Sequence, residues 1–162
     1  MDMAVKLGGE APDFTLAKDG GGLLSLKELR GKAAVLFFYP KDDTTGCTLE
    51  AKDFSDRSVE FSKLGVEIVG ISPDSVKSHD KFKTKHGLTV TLLSDESKQM
   101  LRAYGLWVEK SMYGRKYMGV ERTTLLLDPS GKIAQAWEKV KVPGHADEVL
   151  QEARRMRAEL TG

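Results

Sequence analysis

Cys47 is the residue best suited to covalent chemistry, and it is the only cysteine among the 162 residues of the chain. It follows a polar loop, Lys41–Gly46, which joins an apolar run to a helical pattern. If Thr44 or Thr45 caps that helix through its side-chain oxygen, the cysteine lies in the first turn, where unpaired N–H groups and the positive end of the helix dipole gather. Such a position lowers the pKa of a thiol and favours the nucleophilic thiolate. The pattern therefore predicts a reactive thiol rather than a buried structural cysteine.

A strand and a helix must position this thiol. The near-continuous apolar run Ala33–Tyr39 predicts a buried strand, and Pro40 and Gly46 mark the loop that follows it. The next residues, from about Thr45 to Leu64, alternate with helical period and predict a helix that Gly65 closes. The sequence thus predicts a strand, a loop and a helix, with the thiol at the start of the helix.

The spacing of Pro40, Thr44 and Cys47 gives the motif Pro-x-x-x-Thr-x-x-Cys. This motif resembles the active-site motif of the peroxiredoxins, which are thiol peroxidases with a thioredoxin-like fold. The longer run Phe38–Thr48 is similar to that of the bacterioferritin comigratory protein branch, also called the Q type, of the alkyl hydroperoxide reductase and thiol-specific antioxidant family. Thr45 departs from the proline that is common in that branch.

The resemblance covers nearly the whole chain and implies specific roles for the motif residues. It implies reduction of hydrogen peroxide and organic hydroperoxides, with oxidation of Cys47 to a sulfenic acid. Thr44 would form hydrogen bonds to peroxide and sulfur through its hydroxyl, and Pro40 would shield the sulfur. The backbone N–H groups of Gly46 and Cys47 would bind the substrate as further donors. No metal and no organic cofactor is expected.

Arg122 and Glu50 are two further candidates for the site. Arg122 lies in the apolar run Val120–Leu127, which predicts a strand, and by residue type alone it could be an exposed strand residue. The run resembles the peroxiredoxin strand that carries the active-site arginine, whose cation favours the thiolate. Relatives often carry a glutamate at the position of Glu50, where it holds the arginine; a solvated helix residue is the alternative. The negative charges of Asp42 and Asp43 would raise the pKa of the cysteine. The helix end, Thr44 and Arg122 must therefore outweigh them if the thiolate is favoured.

The remaining residues predict an α/β protein. Before the cysteine, the predicted elements are strands Phe14–Leu16 and Leu23–Leu26 around a hairpin tip at Gly20–Gly22, and a helix at Leu26–Leu29. After its helix come a strand at Val66–Ile71, a helix at Val76–His86, a strand at Val90–Leu93 and a short helix from Ser94 or Asp95 to Tyr104. The rest is an ordered loop or irregular hairpin at Gly105–Gly119, a strand at Lys132–Val140, and a last helix with the apolar stripe Ala146, Val149, Leu150, Ala153, Met156 and Leu160. This order predicts a single domain over residues 1–162, with an N-terminal β-hairpin and a central mixed β-sheet flanked by helices. The resemblance implies the thioredoxin-like fold. The glycine run does not fit a phosphate loop, because no Lys-Ser or Lys-Thr pair follows it.

Composition excludes several classes of protein. The chain has 25 Lys and Arg against 24 Asp and Glu, so its net charge of +1 gives no support for a nucleic-acid partner. No apolar stretch approaches the roughly 20 residues of a membrane span. The segment Met1–Lys6 lacks the apolar core of a signal peptide, which indicates a cytoplasmic protein. A lone cysteine excludes an internal disulfide framework and a cysteine-rich zinc site.

The three histidines predict no site. His79 and His86 are seven residues apart on one helical face and could share a metal ion, but without a third ligand at suitable spacing we expect surface or edge positions. His145 is expected near the start of the last helix. A Cys–His hydrolase pair is possible in principle, although no signature of one surrounds the cysteine.

Two alternatives to a peroxidase and the choice of partners remain. A dithiol oxidoreductase needs Cys-x-x-Cys, and Thr44 at the first position argues against it. A non-catalytic thiol redox sensor on the same fold is the other alternative to a peroxidase. Many Q-type relatives carry a resolving cysteine where this chain has Lys52, so we expect a one-cysteine cycle. Thioredoxin, glutaredoxin or glutathione would act as reductant, and we expect a monomer or a weak homodimer.

Overall fold

A seven-stranded mixed β-sheet forms the centre of the fold. The computed structural model describes residues 5–161, so both ends of the predicted domain, residues 1–4 and 162, lie outside the described residues. The strands are β1 (Thr15–Lys18), β2 (Leu23–Ser25), β3 (Ala33–Phe38), β4 (Val66–Ser72), β5 (Thr91–Ser94), β6 (Trp107–Met112), β7 (Arg115–Val120), β8 (Thr123–Leu127) and β9 (Ile133–Trp137). The sheet has the order β2-β1-β5-β4-β3-β8-β9, and β6 and β7 form a separate antiparallel pair. The predicted mixed sheet and the N-terminal β1–β2 hairpin are confirmed.

Strand β3 lies in the interior of this sheet, and all its residues are buried. It pairs in parallel with β4 and antiparallel with β8. Because side chains alternate along a strand, Val35 and Phe37 contribute to one apolar cluster while Leu36 and Phe38 contribute to the other. Burial on both faces explains why this segment is a continuous apolar run rather than an alternating one.

Helices cover both faces of the sheet. They are α1 (Leu26–Leu29), α2 (Thr45–Asp56), α3 (Ser58–Lys63), α4 (Val76–His86), α5 (Gln99–Ala103) and α6 (His145–Thr161). Buried residues of α2, α3, α4 and α6 belong to the cluster that contains Phe37, and those of α1 and α5 belong to the cluster that contains Phe38. Within residues 5–161, no helix is both long and apolar enough to span a membrane.

The local signals for α4 are confirmed, but the long helix expected after the loop is broken. Ser75 caps α4 through its side chain, and Gly87 ends it with a left-handed backbone. The helix predicted to run to Leu64 stops at Asp56 and resumes as α3. At the break, the backbone N–H of Arg57 donates to the Phe54 carbonyl at 3.1 Å, and the Asp53 carbonyl accepts instead from Arg57 Nη1 at 2.8 Å.

The segment between residues 105 and 119 is more regular than expected. It is a hairpin with continuous pairing from Trp107 opposite Val120 to Met112 opposite Arg115. Tyr113 and Gly114 at its tip have φ values of 52° and 77°. A two-residue tip with positive φ at both positions matches the twist of its strands, so the pairing extends to the tip without irregularity.

Two further predicted boundaries and one predicted buried position are wrong. The strand expected over 120–127 is divided, because Val120 ends β7 and β8 begins at Thr123; Arg122 therefore lies just before a strand rather than inside one. The helix expected from Ser94 or Asp95 begins only at Gln99, because the Asp95 side chain instead accepts hydrogen bonds from N–H groups in the first turn of α5. Leu160, placed on the apolar stripe of α6, is 53% exposed, since it lies beyond the cluster that the rest of the stripe joins.

Candidate active site

The sulfur of Cys47 is buried in the first turn of α2. Cys47 is the third residue of that helix and is 1% exposed. Thr44 is the N-cap residue by its extended backbone, but within the described chain its side chain makes no capping hydrogen bond, so that part of the expectation is wrong. The hydroxyl donates instead to the Lys41 carbonyl at 2.8 Å and closes the loop on itself. Pro40 lies two residues after the end of β3, just before this loop, and is partly buried.

The guanidinium of Arg122 connects the thiol to a buried carboxylate. Its Nη2 donates to Cys47 Sγ at 3.1 Å, and its Nη1 donates to Glu50 Oε1 at 2.6 Å. A side chain at Gly46 would come within 3.5 Å of Nη2, so the glycine lies against the same guanidinium. The structure therefore brings together four residues that the sequence predicted for the site: Gly46, Cys47, Glu50 and Arg122.

Strand register places Arg122 at this position. In the antiparallel pairing of β3 with β8, Phe38 lies opposite Thr123. Arg122, one residue earlier, is therefore level with the end of β3, where the loop to the cysteine begins. Thr124 and Leu126 face the side of the sheet that α2 and α6 cover, and Arg122 continues their alternation, so its side chain points toward α2. The prediction that Arg122 shares a face with Thr124 and Leu126 is confirmed, although Arg122 lies just before the strand.

Glu50 and Arg122 form an ion pair with unusual electrostatics. Burial raises the pKa of Glu50 to about 7, although the charge and hydrogen bond of Arg122 act in the opposite direction. Among residues 5–161, Glu50 Oε2 has no hydrogen-bond partner. Burial lowers the pKa of Arg122, but the charges of Glu50 and Cys47 outweigh it and raise that pKa overall. Arg122 is therefore a fixed cation, whereas the Glu50 carboxyl is poised to hold or lose a proton near neutral pH.

The two aspartates of the loop are each paired with groups of α4. Asp42 is buried, accepts from the hydroxyls of Tyr39 at 2.6 Å and Ser78 at 2.8 Å, and contacts His79 Nδ1 at 2.7 Å. Asp43 is exposed and pairs with Lys85 and His86, and these two hydrogen bonds lower its pKa. These partners offset the negative charges that the sequence placed beside the thiol.

His79 is a correction to the expected surface or edge histidine, because it is fully buried. Asp42, Asp74 and His79 also place potential ligand atoms within 4.8 Å of one another, although no acidic ligand at suitable spacing was expected for the pair of His79 and His86. The same atoms already bond to protein groups, since Asp74 Oδ2 accepts from the backbone N–H of Asp42 and from the Ser72 hydroxyl. His86 lies apart from this cluster, against Asp43.

His145 begins α6 as predicted, but it does not contact the thiol. It is buried, and its Nε2 lies 2.8 Å from the Thr124 hydroxyl. Burial lowers the pKa of His145 to about 4, so the ring is neutral at physiological pH. Over the described part of the chain, no histidine forms a hydrogen bond to Cys47 Sγ, so a Cys–His pair is not assembled.

Sequence reasoning missed the buried network of Asp42 and His79, although one signal was available. His79 stands three residues before Phe82 and three after Val76, which is the spacing of a core-facing stripe on α4. That spacing predicts a buried histidine, and a buried histidine needs polar partners. No local pattern indicates that the partner is Asp42, 37 residues away along the chain.

The chain is similar to known proteins in both sequence and structure. Residues 7–136 match the AhpC/TSA family. A putative peroxiredoxin Bcp of Coxiella burnetii is 51% identical over 148 residues, which span 91% of this chain and 98% of that protein. The peroxiredoxin Bcp of Bacillus subtilis is 45% identical, with coverage of 92% and 95%. A solved structure of the bacterioferritin comigratory protein of Xanthomonas campestris, studied for its alkyl peroxide reduction activity, has a TM-score of 0.87 at 44% identity and covers 96% of this chain and 99% of that one.

Proposed function

The chain belongs to the AhpC/TSA family and is a peroxiredoxin, a thiol peroxidase with a thioredoxin-like fold, and from this premise we propose that Cys47 reduces peroxides in a one-cysteine cycle completed by an external thiol. The observation that carries the proposal is the 3.1 Å contact between the Arg122 guanidinium and Cys47 Sγ. A permanent cation in hydrogen-bond contact with sulfur favours the thiolate, the form that attacks peroxide.

In the proposed oxidation, the thiolate of Cys47 attacks the terminal oxygen of the peroxide. A sulfur–oxygen bond forms as the oxygen–oxygen bond breaks, so sulfur is oxidised and the peroxide is reduced. The hydroxyl group of the terminal oxygen stays on sulfur as sulfenic acid. The other oxygen leaves as hydroxide or alkoxide and takes one proton, which gives water from hydrogen peroxide and an alcohol from an organic hydroperoxide.

Arg122 and the first turn of α2 would stabilise the charge that spreads over the two peroxide oxygens. The guanidinium has donors beyond the two that it uses, and the N–H groups of Gly46 and Cys47 lie at the start of α2, where a helix has no acceptors of its own. Preorganised donors of this kind act like an oxyanion hole. Glu50 holds Arg122 in place and contributes to substrate binding through it.

Thr44 and Pro40 would act from the loop. Because the Thr44 hydroxyl already donates its hydrogen to Lys41, its oxygen is free to accept the hydrogen of a bound peroxide. Donation from this hydroxyl to sulfur or peroxide would require that loop bond to open. Pro40 would exclude water from the sulfur and stiffen the entry to the loop.

An external thiol would complete the cycle. The chain has no second cysteine, and Lys52 lies in the same helix as Cys47. Two positions five residues apart in a helix differ by about 7.5 Å along its axis, farther than the roughly 4.4–6.8 Å that separates Cα atoms across a disulfide. A cysteine at such a position could form a disulfide with the first one only if the helix unwinds. This chain has Lys52 there, so its proposed cycle does not require the helix to unwind. Thioredoxin, glutaredoxin and glutathione are the proposed reductants, and a cytoplasmic location and a monomeric or weakly dimeric state remain predictions.

The test of the proposed function is a peroxide-consumption assay on Cys47→Ser. We expect no turnover above background with thioredoxin, glutaredoxin or glutathione, and an unchanged far-ultraviolet circular dichroism spectrum. Lys52→Ser, a change on the same helix that keeps the thiol, is the matched control and should retain turnover. Substantial turnover by Cys47→Ser would refute the assignment of the peroxidatic residue.

Intact-mass analysis after one equivalent of peroxide tests the one-cysteine cycle. We expect a sulfenic acid that dimedone traps and that becomes a mixed disulfide when a small thiol is added. Complete conversion to a Cys47–Cys47 linked dimer at high dilution would contradict the cycle and indicate resolution within a pre-existing oligomer.

A further inference from the structure

His79 lies between two hydrogen-bond acceptors in the interior of the protein. Its Nδ1 is 2.7 Å from Asp42 Oδ2, and its Nε2 is 2.9 Å from the Leu93 carbonyl oxygen. The side chain has no exposed surface, so water does not replace either partner. The ring therefore joins the loop that carries Asp42 to strand β5, which carries Leu93.

The two acceptors decide the protonation state of this ring. A neutral imidazole has one N–H, so it would direct a lone pair at either the carboxylate or the carbonyl. An unsatisfied acceptor facing a lone pair is costly in a buried site. The imidazolium has two N–H groups and satisfies both partners at once. This geometry favours a His79 cation paired with the Asp42 carboxylate.

Within residues 5–161, the hydrogen-bond partners of the Asp42 side chain are two hydroxyl groups and the His79 ring. Oδ1 accepts from the Tyr39 hydroxyl, and Oδ2 accepts from the Ser78 hydroxyl and faces His79 Nδ1. The backbone N–H of Asp42 donates to Asp74 Oδ2 at 2.8 Å. The start of the loop is thus fixed from the end of β3, from α4 and from the connection between β4 and α4.

The residues after Asp42 need to be held in this way. Asp43 has a φ of 60°, a conformation that an L-residue other than glycine adopts at a cost. Thr44, which follows it, must take the N-cap position for Cys47 to lie in the first turn of α2. A shift of Asp42 therefore moves the backbone that leads directly to the sulfur.

We propose that His79 is a positioning residue for the peroxidase reaction, because its buried imidazolium clamps Asp42 and thereby fixes the Thr44 and Cys47 backbone in the geometry that peroxide attack requires. This inference rests on the proposed function of Cys47. It assigns to a residue outside the motif the task of holding the motif in shape. A misplacement of about 1 Å at a reacting group lowers a rate by about 100-fold, so a clamp at this distance has a measurable effect.

The groups around His79 make the clamp sensitive to alkaline pH. Asp42 faces the ring from the loop, Asp74 from the connection after β4, and the Tyr39 ring from the end of β3 at 6.4 Å between centroids. Burial lowers the pKa of His79, but the hydrogen bond and charge of Asp42 outweigh it and raise that pKa overall. A folded-state pKa above the unfolded value means that the clamp is intact below the unfolded pKa and weakens as the pH rises through the folded one.

The first test measures the charge directly in the wild-type protein. Nuclear magnetic resonance with ¹⁵N-labelled histidine distinguishes a doubly protonated ring from a neutral tautomer. We expect both nitrogens of His79 to carry hydrogen at pH 7, when His145 is already neutral. A neutral His79 at pH 7 would overturn the proposal, and this result does not depend on how any variant folds.

The second test measures the rate of Cys47 oxidation by hydrogen peroxide in His79→Gln across pH 6 to 10. Glutamine can donate to Asp42 but carries no charge, so we expect a rate about 10- to 100-fold below wild type at pH 7. The wild-type rate should decline at alkaline pH as His79 loses its proton, and that decline should be absent from the variant. A merely structural role would lower stability without removing this limb of the profile.

Asp80→Asn is the matched control, because Asp80 follows His79 on the same helix but its side chain accepts from the backbone N–H of Gly20 in the N-terminal hairpin instead of from the loop. We expect wild-type rates from it at every pH. A wild-type rate and pH profile in His79→Gln would overturn the inference while leaving Cys47-dependent turnover intact. Failure of the proposed function itself would be recognised separately, because Cys47→Ser would then retain turnover.

Discussion

Replacement of Glu50 by glutamine should change how the stability of the protein depends on pH. Glu50 is 1% exposed, and burial raises the pKa of its carboxyl from 4.5 to about 7. Glutamine keeps the shape of the side chain and can still accept from Arg122, but it does not titrate. The variant therefore isolates the proton that the buried carboxyl takes up on folding.

The sign and size of the effect follow from the direction of that shift. Between pH 4.5 and 7 the folded protein holds a proton on Glu50 that the unfolded chain has released, so the free energy of unfolding falls as the pH rises through this window. Each pKa unit corresponds to about 1.4 kcal/mol, so a rise from 4.5 to about 7 corresponds to about 3 kcal/mol. Wild type should lose this amount relative to Glu50→Gln between pH 4.5 and pH 8, and the remaining titrating groups cancel in the difference.

Urea unfolding at pH 4.5, 6 and 8 measures this difference. Both proteins are best compared with Cys47→Ser also present, so that the thiol neither oxidises nor titrates. With a urea dependence of about 2 kcal/mol per molar, the difference between the two midpoints should change by about 1.5 M over the range. Glu60→Gln is the matched control, since Glu60 also pairs with an arginine, Arg154, but on the surface.

A midpoint difference between Glu50→Gln and its parent that stays constant from pH 4.5 to pH 8 would refute the reasoning. It would mean that Arg122 keeps the buried carboxyl ionised throughout, so that the ion pair outweighs burial. A midpoint difference that changes in the opposite direction would mean that Arg122 lowers the pKa of Glu50 below its value in the unfolded chain. In either case Glu50 would be a permanent anion that holds the arginine.

Two further predictions concern the site and the core. Arg122→Met and Thr44→Val should each slow oxidation of Cys47 by about 100- to 1,000-fold in stopped-flow measurements, because each removes a preorganised polar contact; a wild-type rate in Arg122→Met would leave this arginine with a structural role alone. Gly70→Ala should lower the free energy of unfolding by about 1–3 kcal/mol, because the added Cβ would lie 2.6 Å from the Phe37 ring and 3.0 Å from Leu92; an unchanged urea midpoint would show that the Phe37 ring yields at no cost.

Much of the fold could be predicted because its signals are local. The apolar run that became β3 is long enough to indicate burial on both faces, and α4 carries its start and stop signals at Ser75 and Gly87. The position of Cys47 in the first turn of α2 also follows from local residues. These features depend on interactions within a few residues, which a sequence pattern records.

The errors arise where distant parts of the chain meet. At the break between α2 and α3, Arg57 pairs with Asp147 of α6, whose Oδ1 accepts from Arg57 Nε at 2.6 Å. The partner of the buried His79 is Asp42, which lies across the space between the loop and α4. The run over 120–127 is divided because Val120 pairs with β6 as the end of β7, whereas the residues from Thr123 onward pair with β3 as β8. No property of the local sequence encodes these partners.

The order in which the chain is synthesised has a consequence for the reactivity of the thiol. Arg122 reaches Cys47 from 75 residues further along the chain, through a strand that pairs with β3. At about 5–20 residues per second, a ribosome that has added the cysteine needs roughly 4–15 s more to add the arginine. During that interval the nascent polypeptide carries the thiol without its guanidinium partner, and β3 lacks a neighbour on one edge. A truncated product that ends before residue 122 would keep the cysteine motif but lack the guanidinium contact that favours the thiolate.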